Sequence, residues 1–178
     1  MEIFRCAQQL REHGGIRWLI VGDGRMSGWV QTEVARRGLC DQVLLLGRHP
    51  VERMPAFYQH ADTLLVSLKA DPIFAMTLPG KIQSYLAAGI PILGMLNGEG
   101  ARIIEEAEAG FACAAGDHRA LSAAVLRMAR LSAEERRAMG RRGSEYSERE
   151  FNRDSLMSTL EQLLSELVER YAARKERA

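Results

Sequence analysis

The sequence predicts an α/β fold: a doubly wound, mostly parallel sheet of about five strands flanked by helices. Three observations predict it. Short apolar runs alternate with longer amphipathic stretches through roughly the first 130 residues. The run Val43-Leu44-Leu45-Leu46 is apolar at every position, as suits a strand covered on both faces. The chain has 178 residues, 47% of them hydrophobic, enough for one real core and too apolar for a disordered chain.

In chain order, a helix comes first, Glu2–His13, with Ile3, Phe4, Cys6, Ala7 and Leu10 as its apolar members. Ile16–Val21 is the first strand, stopped by Gly22-Asp23-Gly24. Helix Gly28–Arg37, strand Val43–Leu46 and helix Val51–Gln59 follow, then strand Thr63–Leu68. Asp71-Pro72 and Pro79-Gly80 make the next stretch a loop. It leads into helix Leu78–Ala88, with Pro79 in its first turn and Gly89 at its end. Strand Pro91–Leu96, helix Ala101–Glu108 and a weak strand Phe111–Ala114 come next. Helices Asp117–Ala129 and Ala133–Tyr146 precede the last one, Asp154–Arg174. Leu156, Leu160, Leu163, Leu164, Leu167 and Tyr171 recur there on one face, behind an N-cap at Asn152 or Asp154. The arginines between Arg136 and Arg149 alternate with glutamates, which reads as a solvated, self-pairing helix face.

A doubly wound module ordinarily opens with a strand, and this chain opens with a helix. If the absent strand belongs mid-sheet, its neighbours carry unpaired backbone edges. The expectation is a fragment of a longer polypeptide, with the gap filled by sheet rearrangement or by a second copy in a homodimer through the open edge.

Lys+Arg total 24 and Asp+Glu 23, so no global charge advertises nucleic acid as a partner. Cys6, Cys40 and Cys113 lie far apart and away from the histidines, which fits reduced thiols and a cytoplasmic setting rather than a disulfide frame. No apolar run is long enough for a transmembrane segment. His49 and His60 lack metal-ligand spacing, and no nucleophilic triad or paired carboxylates stand out.

Loops at the carboxyl ends of parallel strands are where ligands bind in such folds. Gly22-Asp23-Gly24 with Gly28 falls one position off a dinucleotide fingerprint, and Asp41 precedes its strand, so a tight turn is the better reading. Backbone N–H groups at the start of the Pro79 helix, with the Lys81 ammonium, favour a diphosphate; the plain alternative is a solvent lysine. Glu99, in Gly98-Glu99-Gly100, either bonds a sugar hydroxyl or caps helix donors. Arg48, after Gly47, either faces a base or phosphate or is simply exposed.

The order of motifs resembles the C-terminal, donor-binding half of GT-B glycosyltransferases, the retaining type grouped as family 4. The matching run is Trp18 to Gly24, Val43 through Gly47-Arg48, Met54 to Tyr58, Ala61-Asp62, and Pro79-Gly80-Lys81 through Tyr85-Leu86-Ala87-Ala88-Gly89-Ile90-Pro91-Ile92. Gly110-Phe111, Met139-Gly140 and Tyr146 with Phe151 close it. It is most similar to bacterial surface-polysaccharide members with Pro-x-Lys there.

The resemblance implies a Rossmann-like nucleotide-sugar-binding domain over 1–150. Residues 151–178 form a helix packing on it or on an absent N-terminal acceptor domain. It implies a hexosyl transfer from a UDP-linked sugar to an acceptor hydroxyl, with no metal or other cofactor. The full-length protein would be cytoplasmic, peripheral at the inner membrane, and this half alone inactive. Gly22 would belong to the donor-binding set; Gly47, Arg48 and His49 would face the nucleobase; Thr77, Leu78, Pro79, Gly80 and Lys81 would face the diphosphate and sugar. The family's Glu-x7-Glu pattern falls on Met76 and Ser84, leaving Ser84 to offer one hydrogen bond to ribose and Glu99 as the nearest substitute carboxylate. Competing readings are half of a nucleotide-sugar epimerase, or a non-catalytic α/β binding or regulatory domain.

Overall fold

Five strands form where the apolar runs predict them, and every pairing among them is parallel. The structure is a computed structural model that describes residues 2–176. Its elements are α1 (Glu2–Gln9), β1 (Trp18–Val21), α2 (Ser27–Arg36), β2 (Val43–Gly47), α3 (Met54–Gln59), β3 (Leu64–Ser67), α4 (Pro72–Ala75) and α5 (Gly80–Ala87). Then come β4 (Ile92–Met95), α6 (Glu99–Glu106), β5 (Gly110–Cys113), α7 (His118–Arg130), α8 (Ala133–Glu150) and α9 (Arg153–Glu176). The fold class is α/β, as the alternation of runs predicts.

The strands do not join into one ladder. β1 pairs with β2, and β3-β4-β5 form a second sheet. Neither rearrangement nor another strand among the described residues links β1 to β3. This corrects the expectation that rearrangement closes the gap. Each strand's register is already fixed by its existing partner, and slipping it would turn its apolar residues to the wrong face.

Helices cover both faces of the three-stranded sheet. Ile92 and Leu96 enter a cluster with Ile82, Leu86, Ile104 and Tyr146 from α5, α6 and α8. Leu93 and Met95 enter the opposite cluster, with Cys6, Leu10, Leu121 and Val125 from the α1 region and α7. α1 also reaches the other sheet, where Phe4 and Ala7 pack with Val34, Leu39 and Val43. One short helix therefore roofs both sheets. On the other side, Tyr58 of α3 meets Tyr85 of α5 edge-on, with ring centroids 5.4 Å apart.

Three elements differ from expectation. α1 stops at Gln9 and its last turn unwinds toward Gly14-Gly15, although Leu10 stays buried. The stretch read as a loop contains α4, whose N-cap Asp71 accepts a hydrogen bond from the Ile73 N–H (2.8 Å). α9 is capped by Asn152, not Asp154, through the Ser155 N–H. Its leucine stripe is exposed over Leu156, Leu160, Leu163, Leu164, Leu167 and Tyr171, with Leu156 bordering a groove beside α5. α8 holds its place through a capping box at Ser132 and Glu135. It presses so close to the end of α5 that a Cβ on Gly140 would sit 1.9 Å from the Gly89 carbonyl oxygen.

Candidate functional site

The carboxyl ends of the strands carry the predicted residues, in two groups divided by the break between β1 and β3. At the β1-β2 tips, the Gly22 N–H donates to the Gly47 carbonyl (2.7 Å). Both glycines take positive φ, +138° and +69°, the conformation that lets each strand turn out of the sheet. Arg48 then stands exposed, and among the described residues no carboxylate pairs with it. His49 is held differently. Its Nε2–H donates to the Leu46 carbonyl (3.1 Å), and its ring packs 4.9 Å from that of Phe57. It anchors the loop that presents Arg48.

At the β3-β4 tips, α5 starts without a side-chain cap. Pro79 is the N-cap residue and has no acceptor side chain. The first backbone donor turned back into the chain is that of Ile82, to the Pro79 carbonyl (2.9 Å). The Gly80 and Lys81 N–H groups meet no protein acceptor among the described residues, and both residues are exposed. No described carboxylate pairs with the Lys81 ammonium. Two unsatisfied amides at the positive end of a helix, beside a lysine, have the chemistry to take an anionic group.

Two glycines bring a second helix start to the same place. A Cβ on Gly100 would strike Ile82 and approach Pro79 Cδ to 3.4 Å, so α6 seats directly against the α5 mouth. A Cβ on Gly98 would lie 2.0 Å from the Ala75 carbonyl oxygen, which fixes α4 over the start of α6. Gly98 supplies no side-chain cap either. Ile73 and Met76 of the α4 segment are exposed beside this mouth.

Other predicted residues are occupied. The Thr77 hydroxyl donates to the Ile73 carbonyl and the Ser84 hydroxyl to the Gly80 carbonyl (3.0 Å). Ser84 keeps only acceptor capacity unless that bond breaks. It faces a groove of about 500 Å³ that it shares with Gln83, Phe151, Leu156 and Met157. Leu78 packs on the core. Glu99 caps no helix donor: Arg102 binds its carboxylate (3.0 Å) and holds it below the usual carboxyl range. Two parts of the site escaped sequence reading. The α4 cap was signalled by Asp71-Pro72, an N-cap residue followed by proline at N1; the close-approach glycines Gly98 and Gly100 left no local signal.

Residues 2–130 match the family model described as Glycosyl transferases group 1. A curated relative is the amylovoran biosynthesis glycosyltransferase AmsK of Erwinia amylovora, 30% identical over 121 residues. That match covers 67% of this chain and 30% of AmsK. Sucrose-phosphate synthase from Thermosynechococcus elongatus superposes with a TM-score of 0.78 at 19% identity, over 95% of this chain and 42% of that one. Anabaena Alr3699/HepE, solved in complex with UDP, gives 0.75 at 15% identity, over 93% and 44%. The C-terminal domain of LpcC, a glycosyl transferase group 1 family protein from Francisella tularensis, gives 0.66 at 15%, over 84% and 77%. The chain thus spans less than half the length of the first two solved relatives. No helix among the described residues is long and apolar enough to cross a membrane.

Proposed function

The chain belongs to the group 1 glycosyl transferases, and from that premise we propose that it is the donor-nucleotide half of a hexosyltransferase. In this reading the complete enzyme moves a hexosyl group from a nucleoside-diphosphate sugar, UDP-linked, to an acceptor hydroxyl in surface-polysaccharide synthesis. The observation that carries it is the open α5 mouth: the Gly80 and Lys81 amides and the Lys81 ammonium, at the strand tips against the start of α6. The name of AmsK and the UDP bound to HepE support it.

Chemically, the departing diphosphate gains negative charge as the glycosidic bond breaks. Fixed amide dipoles and a cation already in place stabilise that charge without reorganising, which lowers the barrier. Lys81 and the amides take the diphosphate, and no resident metal is required. Arg48, held out by the anchored His49 loop, lies on the nucleobase side. The acceptor is bound by a second domain, so this half binds UDP weakly and transfers nothing. The setting is cytoplasmic, at the inner membrane face in the complete enzyme.

An NMR titration with millimolar UDP tests it. Shifts should centre on Gly80, Lys81 and Arg48, and Lys81→Ala and Arg48→Ala should each weaken binding by on the order of 1–3 kcal/mol. Unchanged binding in both variants would instead favour a non-catalytic α/β domain.

A further inference from the structure

Among the described residues nothing covers the apolar side of α9. Leu160, Leu163, Leu164 and Leu167 are 48–59% exposed, and Tyr171 is 73% exposed. Leu156, Leu160, Leu163 and Leu167 recur at spacings of four, three and four, the seam by which one helix packs along another. Met157, Leu164 and Tyr171 lie beside that seam on one side. Arg170, which falls next on the seam, reaches instead to Glu166 of its own helix (3.9 Å). Between Arg153 and Tyr171 the helix carries four acids (Asp154, Glu161, Glu166 and Glu169) against two arginines, the wrong sign for an anionic lipid surface. The stripe offers on the order of 800 Å² of side chain per copy, what one partner brings to an interface of standard size.

The root of the stripe opens into the groove of about 500 Å³ between α5, the end of α8 and the start of α9. Ala87, Phe151, Leu156 and Met157 give this groove apolar surface, and Gln83, Ser84 and Ser147 give it polar groups. That mixture suits a phenol, whose ring takes apolar contact while its hydroxyl needs a hydrogen-bond partner. The Ser84 hydroxyl has given its hydrogen to the Gly80 carbonyl and can still accept one. The stripe carries one phenol, Tyr171, at its far end. In the same copy Tyr171 stands about 22 Å along the helix from Leu156, out of reach of the groove.

We propose that α9 is a homodimerisation helix: it pairs antiparallel with α9 of a second copy, and the partner's Tyr171 fills the groove. A two-fold axis passing between Leu163 and Leu164 makes the stripe complementary to itself. Leu160 then faces the partner's Leu167, and Leu156 and Met157 face the partner's Tyr171. Antiparallel pairing also opposes the two helix dipoles and sets the two domains at opposite ends of the pair. Each phenol hydroxyl arrives beside Gln83 and Ser84 as a donor, where Ser84 has only acceptor capacity left. The pairing does not depend on what the domain binds at its strand tips.

Sedimentation velocity on the 178-residue chain tests the pairing. The parent should sediment as a dimer at about 50 μM, and the double variant Leu160→Glu, Leu167→Glu as a monomer. Both side chains already stand in water, so the amide spectrum of β4 and α5 should stay as in the parent. Tyr171→Ala should raise the dimer dissociation constant by about tenfold. A disulfide test reads the register, with Cys40→Ser as the background. Met157→Cys mixed with Tyr171→Cys should give a cross-linked heterodimer under mild oxidation, at least about tenfold more than either alone. A parent that stays monomeric at about 500 μM overturns the proposal and leaves the stripe to another protein or a membrane. A dimer that survives Leu160→Glu with Leu167→Glu overturns it as well, and assigns the contact to the open edges of β1 and β3. Tyr171→Cys cross-linking to itself rather than to Met157→Cys overturns the antiparallel register.

Discussion

β4 and β1 are four-residue apolar strands of similar composition, Ile92-Leu93-Gly94-Met95 and Trp18-Leu19-Ile20-Val21, and they meet different fates. Every residue of β4 is buried, whereas no residue of β1 is. β4 has a partner on each edge and a helix layer on each face; β1 has one partner. Apolarity makes a strand, but neighbours bury it. The glycine in β4 shows how closely those neighbours come, since a Cβ there would meet Ile104 at 2.8 Å.

The largest expected effect sets the two regions against each other directly. Ile104→Ala, in the complete half, should lower stability by about 2–5 kcal/mol, because it opens a cavity that the packed layers cannot collapse. Leu19→Ala should cost less than about 0.5 kcal/mol, as for a side chain already in water. Urea midpoints of the two variants decide the matter, and equal losses would erase the distinction. Next comes Gly140→Ala. The new methyl meets the Gly89 carbonyl at 1.9 Å, so α8 must move off α5 at a cost of about 1–3 kcal/mol. Thermal melts should show it, and a variant as stable as the parent would mean that this contact is loose.

The smallest effect belongs to the two-stranded half. Glu33 of α2 is held at about 2, from an ordinary 4.5, by hydrogen bonds from Arg36 and then Arg37. Its carboxylate is favoured in the folded state. The stabilisation is therefore complete above pH 4.5 and fades as pH falls toward 2. The gap in urea midpoint between the parent and Glu33→Gln should close over that window. A gap that stays constant down to pH 2 would show that the arginines do not act through charge.

Strand positions were legible because turn residues flank the apolar runs, as at Val21-Gly22, Leu46-Gly47 and Asp62-Thr63. Which strands pair was not, because nothing local to Leu19 or Leu65 encodes the neighbour across the edge. The α5 mouth was legible in Pro79-Gly80-Lys81, since proline and glycine bring no capping side chain. Ser84 and Thr77 were legible as hydroxyls beside that mouth. Their bonds back to the Gly80 and Ile73 carbonyls depend on side-chain rotamers, which sequence does not report. The Glu99–Arg102 pair was in reach of a simple rule, three residues apart on one helix face, and it withdraws the carboxylate that would otherwise be offered to a sugar.

α9 acts as a lever. From Arg153 to Tyr171 it rises about 27 Å at the usual helical pitch, and its fulcrum is the Phe151-Asn152 corner. A pivot of about ten degrees there swings Tyr171 sideways by about 5 Å while shifting Leu156 by less than about 1 Å. Leu156 and Met157 border the groove that contains Ser84, so a large excursion at the far end arrives beside α5 as a sub-ångström adjustment, geared down by the length of the rod.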